Sequence, residues 1–431
     1  MKYNFIKINK YAILVLPFSL IFSIFVSDLI VSLSSLSFLI YIFINKKTSL
    51  LKSIEFKLFL ILYTIFILSA LFSDFTYHSL IKTLPYLRFG IFMLLIKYLL
   101  INDDNFKVLF FRSLLISFSV LCFGLFLQII GFEYLSKYIN GSRYSSFFFD
   151  ELILGSFLIK ILPIALALSL FLNYKNIFYI LIFILSIMIF LSGERSALFS
   201  LIIFFSLLFF FTKILNIYYK LTIASILLIL FVSTLAFFPK IKFRIIDQTA
   251  YQLNIIEADR DYMEFELEDN YTVGVAKEEY FIPLKYYLMM ESAFKMFKDN
   301  VFFGTGMKTF KILCKDEKYY KKKNYKAFEG KPDDYYKGFT GLDNCSTHPH
   351  NYYIQLLSET GIFSFLFVSI IFILFSYKFF REEKLYNKIL YLSLMVNLFP
   401  FYFTGNIFSN FLSILLYLNI GFLNLNNEKI K

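Results

Sequence analysis

Apolar residues in this chain fall in long unbroken runs, without the three-to-four spacing of a soluble amphipathic helix or the alternation of a half-buried strand. Each run approaches the roughly 17–25 residues that a helix needs to cross a bilayer. Nine of them fill the amino-terminal part: Tyr11–Ser27, Leu29–Ile44, Leu58–Phe72, Leu84–Ile101, Val108–Ile130, Glu151–Leu172, Ile177–Leu191, Ala197–Phe211 and Leu221–Phe238. Three more close the chain, Ile354–Tyr377, Ile389–Phe403 and Ile407–Leu425. The pattern therefore predicts an all-α polytopic membrane protein of about 12 transmembrane helices. It divides into residues 1–238 (spans one to nine), a hydrophilic loop domain at 239–353, and residues 354–431 (spans ten to twelve and a tail). The basic start Met1–Lys10 before the first run imitates a signal peptide, but no small-residue cleavage site is clear and a second run follows at once. We read it as an uncleaved first span.

Composition agrees with that pattern. Of 431 residues, 58% are hydrophobic, far more than in an ordinary soluble domain. A net charge of +12 could signal nucleic acid, but the lysines collect in short loops between apolar runs. That is the positive-inside distribution of a membrane protein, and it leaves no role for nucleic acid. Lys46, Lys107, Lys175, Lys213, Lys220, Arg381 and the Lys429–Lys431 tail then lie on the cytoplasmic side, with both termini. The loop domain, Arg143 and Arg195 lie on the other side.

Three polar stretches fall on that outer face. His348-Pro349-His350-Asn351 ends the loop domain and opens span ten; Pro349 biases His348 to extended or turn geometry. Arg143 is followed by Asp150 and Glu151, whose acids at a helix start suit the macrodipole as simple caps. Ser192-Gly193-Glu194-Arg195-Ser196 is a tight turn, where Arg195 could be a snorkelling anchor paired with Glu194. Arg88 lies just inside span four, and intramembrane arginines are costly enough to face a functional cavity.

These stretches resemble the bacterial O-antigen ligase and O-antigen polymerase family. The family's His-Asn pair, nine residues, then Gly-x-x-Gly appears as His350-Asn351 followed by Gly361, with Ser364 in place of the second glycine. Its Arg-x-Ser-Gly-x-Phe-x-Asp-Glu pattern followed by Gly-Ser appears from Arg143 through Glu151 to Gly155-Ser156, with Ser146 in place of glycine. Its second arginine motif appears at Gly193 to Arg195. The resemblance implies a membrane glycosyltransferase of the bacterial inner membrane, with its active site facing the periplasm. It would move a glycan from undecaprenyl diphosphate to a lipid A–core hydroxyl. A repeat-unit polymerase of the same family, with a glycan acceptor, is the alternative. A lipid-linked glycan transporter is the reading from another class, but no repeat relates the two halves and one outer loop dominates.

The chemistry that follows needs no cofactor and no metal. A diphosphate is already a good leaving group, so what remains is a base for the acceptor hydroxyl and cations for the departing charge. His350 is assigned the base, with His348 and Asn351 orienting it. Arg195, with Arg88 and Arg143, is assigned the diphosphate, because a guanidinium forks onto two oxygens. Glu151 and Glu194 complete the substrate-binding set. Direct attack on the anomeric carbon inverts it.

Within the loop domain, Tyr287–Lys298 has helical period, with Met290, Ala293, Phe294 and Phe297 on one face. Gly304-x-Gly306 lacks the strand and third glycine of a nucleotide loop and reads as scaffolding. Met307 to Lys337 is lysine- and tyrosine-rich and reads as a flap or an acceptor surface. Cys314 and Cys345 share the outer side, where an oxidising compartment favours a disulfide, while Cys122 is expected to stay a buried free thiol in span five.

Overall fold

The computed structural model describes residues 2–136, 143–212, 216–252, 284–319, 345–401 and 405–425. Most of the lysine-rich flap, Lys213 and the Lys429–Lys431 tail fall outside the described residues. Among the described residues all regular structure is helical. The helices are α1 Lys2–Phe22, α2 Ile24–Ile44, α3 Ile54–Leu71, α4 Thr76–Thr83, α5 Leu87–Asn102, α6 Asp104–Ile129 and α7 Glu133–Ser136. They continue as α8 Leu154–Phe171, α9 Lys175–Leu191, α10 Arg195–Phe211, α11 Ile217–Phe237, α12 Pro239–Lys242 and α13 Gln248–Gln252. The last five are α14 Leu284–Asp299, α15 Phe310–Leu313, α16 Tyr352–Arg381, α17 Leu385–Asn397 and α18 Asn410–Gly421.

Every one of the apolar runs holds a helix, but the edges move where a cap intervenes. The first two spans meet at Ser23, whose hydroxyl accepts from Val26 N at 3.3 Å and starts α2 inside the first run. Among the described residues seven helical stretches are long and apolar enough to cross a membrane: α2, α3, the α4–α5 stretch, α6, α8, α11 and α16. α9, α10 and α18 are apolar but shorter. α8 is the interior post, with 83% of its apolar window buried, whereas α11, at 11%, lies on the periphery.

The connections between the long helices sort to two ends. One end carries lysine contacts: Lys10 with Asp103 at 2.7 Å, Lys97 with Glu55 at 2.5 Å, and Lys47 with the Tyr98 hydroxyl at 3.2 Å. The other end gathers α4, the 143–153 segment, the α9–α10 turn, α12–α15, the turn at 345–351 and the α17–α18 connection.

Hydropathy merges two helices into the tenth span. Gly361 has φ +77 and ψ −175, which breaks α16 into Tyr352–Thr360 and a lower part beginning at Ile362. In the upper part Gln355, Ser358, Glu359 and Thr360 are fully buried against protein. The 301–310 loop lies across the break: Ile362 N donates to Val301 O at 2.9 Å, Thr305 N to Ser358 O at 2.9 Å, and Gly306 N to Glu359 O at 2.8 Å. A Cβ on Gly361 would come within 2.1 Å of Phe302 O, so only glycine permits this approach. The Glu359 carboxylate accepts from Lys308 N at 3.1 Å, Phe310 N at 2.9 Å and Gln355 Nε2 at 3.1 Å. The Gly304-x-Gly306 turn is thus part of the scaffold, as its chemistry suggested.

α14 buries Met289, Ala293 and Met296 against Phe310, Cys314 and Tyr319. That stripe is rotated from the expected one. Of the expected face only Ala293 is buried, and Phe294 is exposed beside Phe297 at 5.8 Å between rings. The disulfide Cys314–Cys345 is formed, with Cα atoms 5.1 Å apart. Cys122 is a free thiol on α6; it is exposed on the helix surface and not buried as expected.

Candidate functional site

The histidine turn is built by what precedes and follows it. Cys345 anchors it covalently to the end of α15. Thr347 Oγ1 lies 2.8 Å from His348 Nδ1, and His348 is buried. His350 adopts φ +59, a left-handed backbone that a residue with a Cβ takes only when its surroundings impose it. The result is a ring packed between two others, with centroids 4.1 Å from His348 and 5.0 Å from Tyr286. Asn351 caps α16: its Oδ1 accepts from Tyr353 N at 3.0 Å and Ile354 N at 3.1 Å, while its Nδ2 donates to Pro400 O at 2.9 Å. Tyr353 Oη donates to Leu398 O at 2.7 Å, and Gln355 donates to Asn406 Oδ1 at 2.9 Å and accepts from Ile407 N at 3.2 Å. So the turn is bolted to the α17–α18 connection, and the Asn351 amide is engaged by protein at both ends.

The cationic side comes from other elements. Arg195 opens α10 and donates to Thr249 Oγ1 at 3.2 Å. Arg244, just beyond α12, donates from Nε to Gly193 O at 3.0 Å and so holds the α9–α10 turn. Arg143 donates to Leu152 O and lies 3.8 Å from Glu194 Oε1, while its buried Nε has no hydrogen-bond partner. Burial lowers the Arg143 guanidinium; it lowers Arg244 to about 10, with Arg143 and Arg195 adding repulsion. Arg195 also lies within the field of Arg143, and Tyr286 within the field of all three. Tyr286 therefore joins the histidine turn to the arginine trio.

Glu194 sits among these cations and is buried. Its Oε1 accepts from Gly155 N at 2.7 Å, and Oε2 from Ser156 N at 3.2 Å and Ser156 Oγ at 2.6 Å. Burial pushes its carboxyl upward, opposed by Arg143 and by these bonds. This is the acid at the start of α8. Asp150 and Glu151, the local candidates, are exposed and precede that start. Nor is Glu194 a local partner for Arg195, since its ion pair is with Arg143.

Arg88 stands apart from the trio. Its Nη2 donates to Asp28 Oδ1 at 2.7 Å and Asn410 Oδ1 at 3.2 Å, and Nη1 to Pro85 O at 3.4 Å. Arg244 and Tyr286 are the two members that the sequence did not single out. Arg244 follows an apolar run as an interfacial arginine flanked by Phe243, Ile245 and Ile246, the same signal that marked Arg195. Tyr286 lies one residue before the start assigned to the α14 pattern. Among the described residues no cluster of His, Cys, Asp and Glu could hold a metal ion.

A comparison with curated proteins finds no match. Residues 180–369 match the family model described as O-antigen ligase. The matched segment holds Glu194, Arg195, Arg244, Tyr286, both bridged cysteines and the whole histidine turn, while Arg88, Arg143 and Glu151 precede it. Through this segment the chain is similar to the O-antigen ligase family.

Proposed function

We propose that the protein transfers a glycan from undecaprenyl diphosphate to a lipid A–core hydroxyl at the periplasmic face of the bacterial inner membrane. The observation that carries this reading is the gathering of the His350 ring and three half-buried guanidiniums around Tyr286. The site also lies at the end of the bundle opposite the lysine contacts, which suits a position outside the cytoplasm.

Arg195, Arg244 and Arg143 would hold the diphosphate, and their shared burial strengthens their pull on an anion. His350 accepts the proton of the acceptor hydroxyl while its oxygen attacks the anomeric carbon. The carbon–oxygen bond to the diphosphate breaks, its electron pair leaves with the phosphate, and the anomeric centre inverts. His348 and Asn351 act through position, the first by packing on the His350 ring and the second by fixing the helix start. Glu194 supports Arg143.

Purified protein in detergent, given lipid-linked glycan and lipid A–core, is expected to transfer the glycan with no membrane gradient. Transfer only between two repeat units would make it a polymerase acting through the same site. No transfer to either acceptor, with glycan movement in gradient-bearing vesicles, would replace the reading with a transporter.

A further inference from the structure

An apolar cleft between α3, α5, α16 and α18 is not used by the site above. It encloses about 800 Å³, its open mouth included. Phe59 and Phe66 of α3 face Val368 and Ile371 of lower α16 across it, and Leu356 and Ile407 form its upper limit. The polar groups that border it are engaged elsewhere: Glu55 with Lys97 at 2.5 Å, and the Tyr86 hydroxyl with Ser413 at 3.2 Å. Water entering this space would find few partners. Empty, the walls forgo dispersion contacts that a hydrocarbon chain would restore.

Two observations decide which lipid the cleft suits. The first is its position. Leu356 and Ile407 belong to the scaffold that fixes His350, since Gln355 accepts from Ile407 N and Asn351 caps the same helix. None of the cleft walls comes from the α9–α13 region that carries Arg195 and Arg244. In-line displacement requires the attacking oxygen to arrive opposite the leaving group. With the diphosphate on the arginines, a lipid seated among walls that α9–α13 do not supply is the acceptor.

The second is charge. Directly above Phe66, Ser69 Oγ donates to Glu359 O at 2.9 Å, and Lys308 N donates to the Glu359 carboxylate. Thr83 and Ser79 of α4 hold Met307 beside them, at 3.8 Å to sulfur and 2.8 Å to the backbone N. This brings Lys308 into the field of Lys82, Arg88 and Lys311. The carboxylate nearest to Lys308, Glu359, already accepts from three N–H groups, so the cluster has cationic charge in excess.

We infer that the cleft seats an acyl chain of a phosphorylated glycolipid acceptor, with its phosphate on Lys82, Lys308 and Lys311. The sugar hydroxyl then meets His350 from the side opposite the donor diphosphate. This rests on the transferase reading for the word acceptor alone; lipid occupancy is measured separately.

The test uses full-length protein in detergent with p-benzoylphenylalanine at position 371, irradiated with bisphosphorylated lipid A, undecaprenyl diphosphate or an uncharged diacylglycerol. Lipid A is expected to label preferentially, and Lys82→Glu with Lys308→Glu to cut that labelling about tenfold, the equivalent of one phosphate contact. In turnover, Val368→Trp should raise the acceptor KM about tenfold with the donor KM unchanged. The two charge reversals, at surface-reaching side chains, carry the test if the tryptophan variant does not elute as a folded species. Preferential labelling by undecaprenyl diphosphate would overturn the inference and give the cleft to the donor chain. Equal labelling by all three, indifferent to the charge reversals, would overturn it in favour of ordinary bilayer lipid. Absent turnover with intact lipid A labelling would sink the transferase reading and leave the cleft assignment standing.

Discussion

The histidine turn and the arginine trio both neighbour Tyr286, and they are held in opposite ways. On the histidine side the turn is bridged covalently, capped by Asn351 and bonded to Pro400. On the arginine side Arg143 lies 3.8 Å from Glu194, which already accepts three bonds from Gly155 and Ser156, while Arg195 donates to Thr249 Oγ1 and Arg244 to Gly193 O. The difference fits the chemistry proposed for each side. A base works by position, so its surroundings must be saturated and stiff. An anion site works by positive charge gathered in one place, which several neighbouring guanidiniums supply.

Removing the base tests the stiff side most severely. His350→Ala should cost about 10²–10⁴-fold in transfer, read as product formed by protein present at wild-type level in the membrane. An inactive His348→Ala beside an active His350→Ala would move the base to the neighbouring ring. Next in size is the covalent tether. Cys345→Ser opens a loop with a sequence separation of 31, and the chain-entropy model gives roughly 3–4 kcal/mol for such a closure. A lowered unfolding temperature, reproduced in wild type by reductant, is the expected result; an unchanged one would mean that α14–α15 packing alone holds the turn.

The cationic side responds to geometry as well as charge. Arg195→Lys keeps the cation but loses the fork, and should slow transfer about 10–100-fold, chiefly through the donor KM. Full turnover by this variant would reduce Arg195 to a snorkelling anchor and leave the anion to Arg244 and Arg143. The smallest effect belongs to the cap. Asn351→Ala removes both acceptor bonds at the α16 start and should cost about 1 kcal/mol of stability. A loss of kcat far beyond that change in folded fraction would give Asn351 a direct part in the chemistry.

Much of this architecture is legible in the sequence because membrane insertion leaves a strong one-dimensional record. Each apolar run became a helix, the Gly304-x-Gly306 turn became scaffold, and Cys314 and Cys345 bridged. What escaped depends on chain segments meeting in space. Glu194 reads as a neighbour of Arg195, yet it reaches 38–39 residues back to the start of α8. Arg88 reads like the other arginines, yet Asp28 and Asn410 claim it. Arg244 and Tyr286 lie in the loop domain, whose hydropathy carries no period strong enough to place them. Gly361 sits within a run that is apolar by average, so transfer free energy gives no hint of the break. In α14 two apolar stripes compete, and only the packing on α15 decides that Met289 and Met296 go inside.

The break at Gly361 also has a mechanical meaning. Below it, α16 must tilt or slide to match the local thickness of the lipid, since mismatch is relieved most cheaply by reorienting a helix. Above it, the nine residues from Tyr352 to Thr360 are clamped by the 301–310 loop and the α17–α18 connection. A single non-helical residue between them acts as a universal joint. Reorientation of the lower rod can then be taken up below the clamped turn, leaving the upper part that carries Asn351 in place.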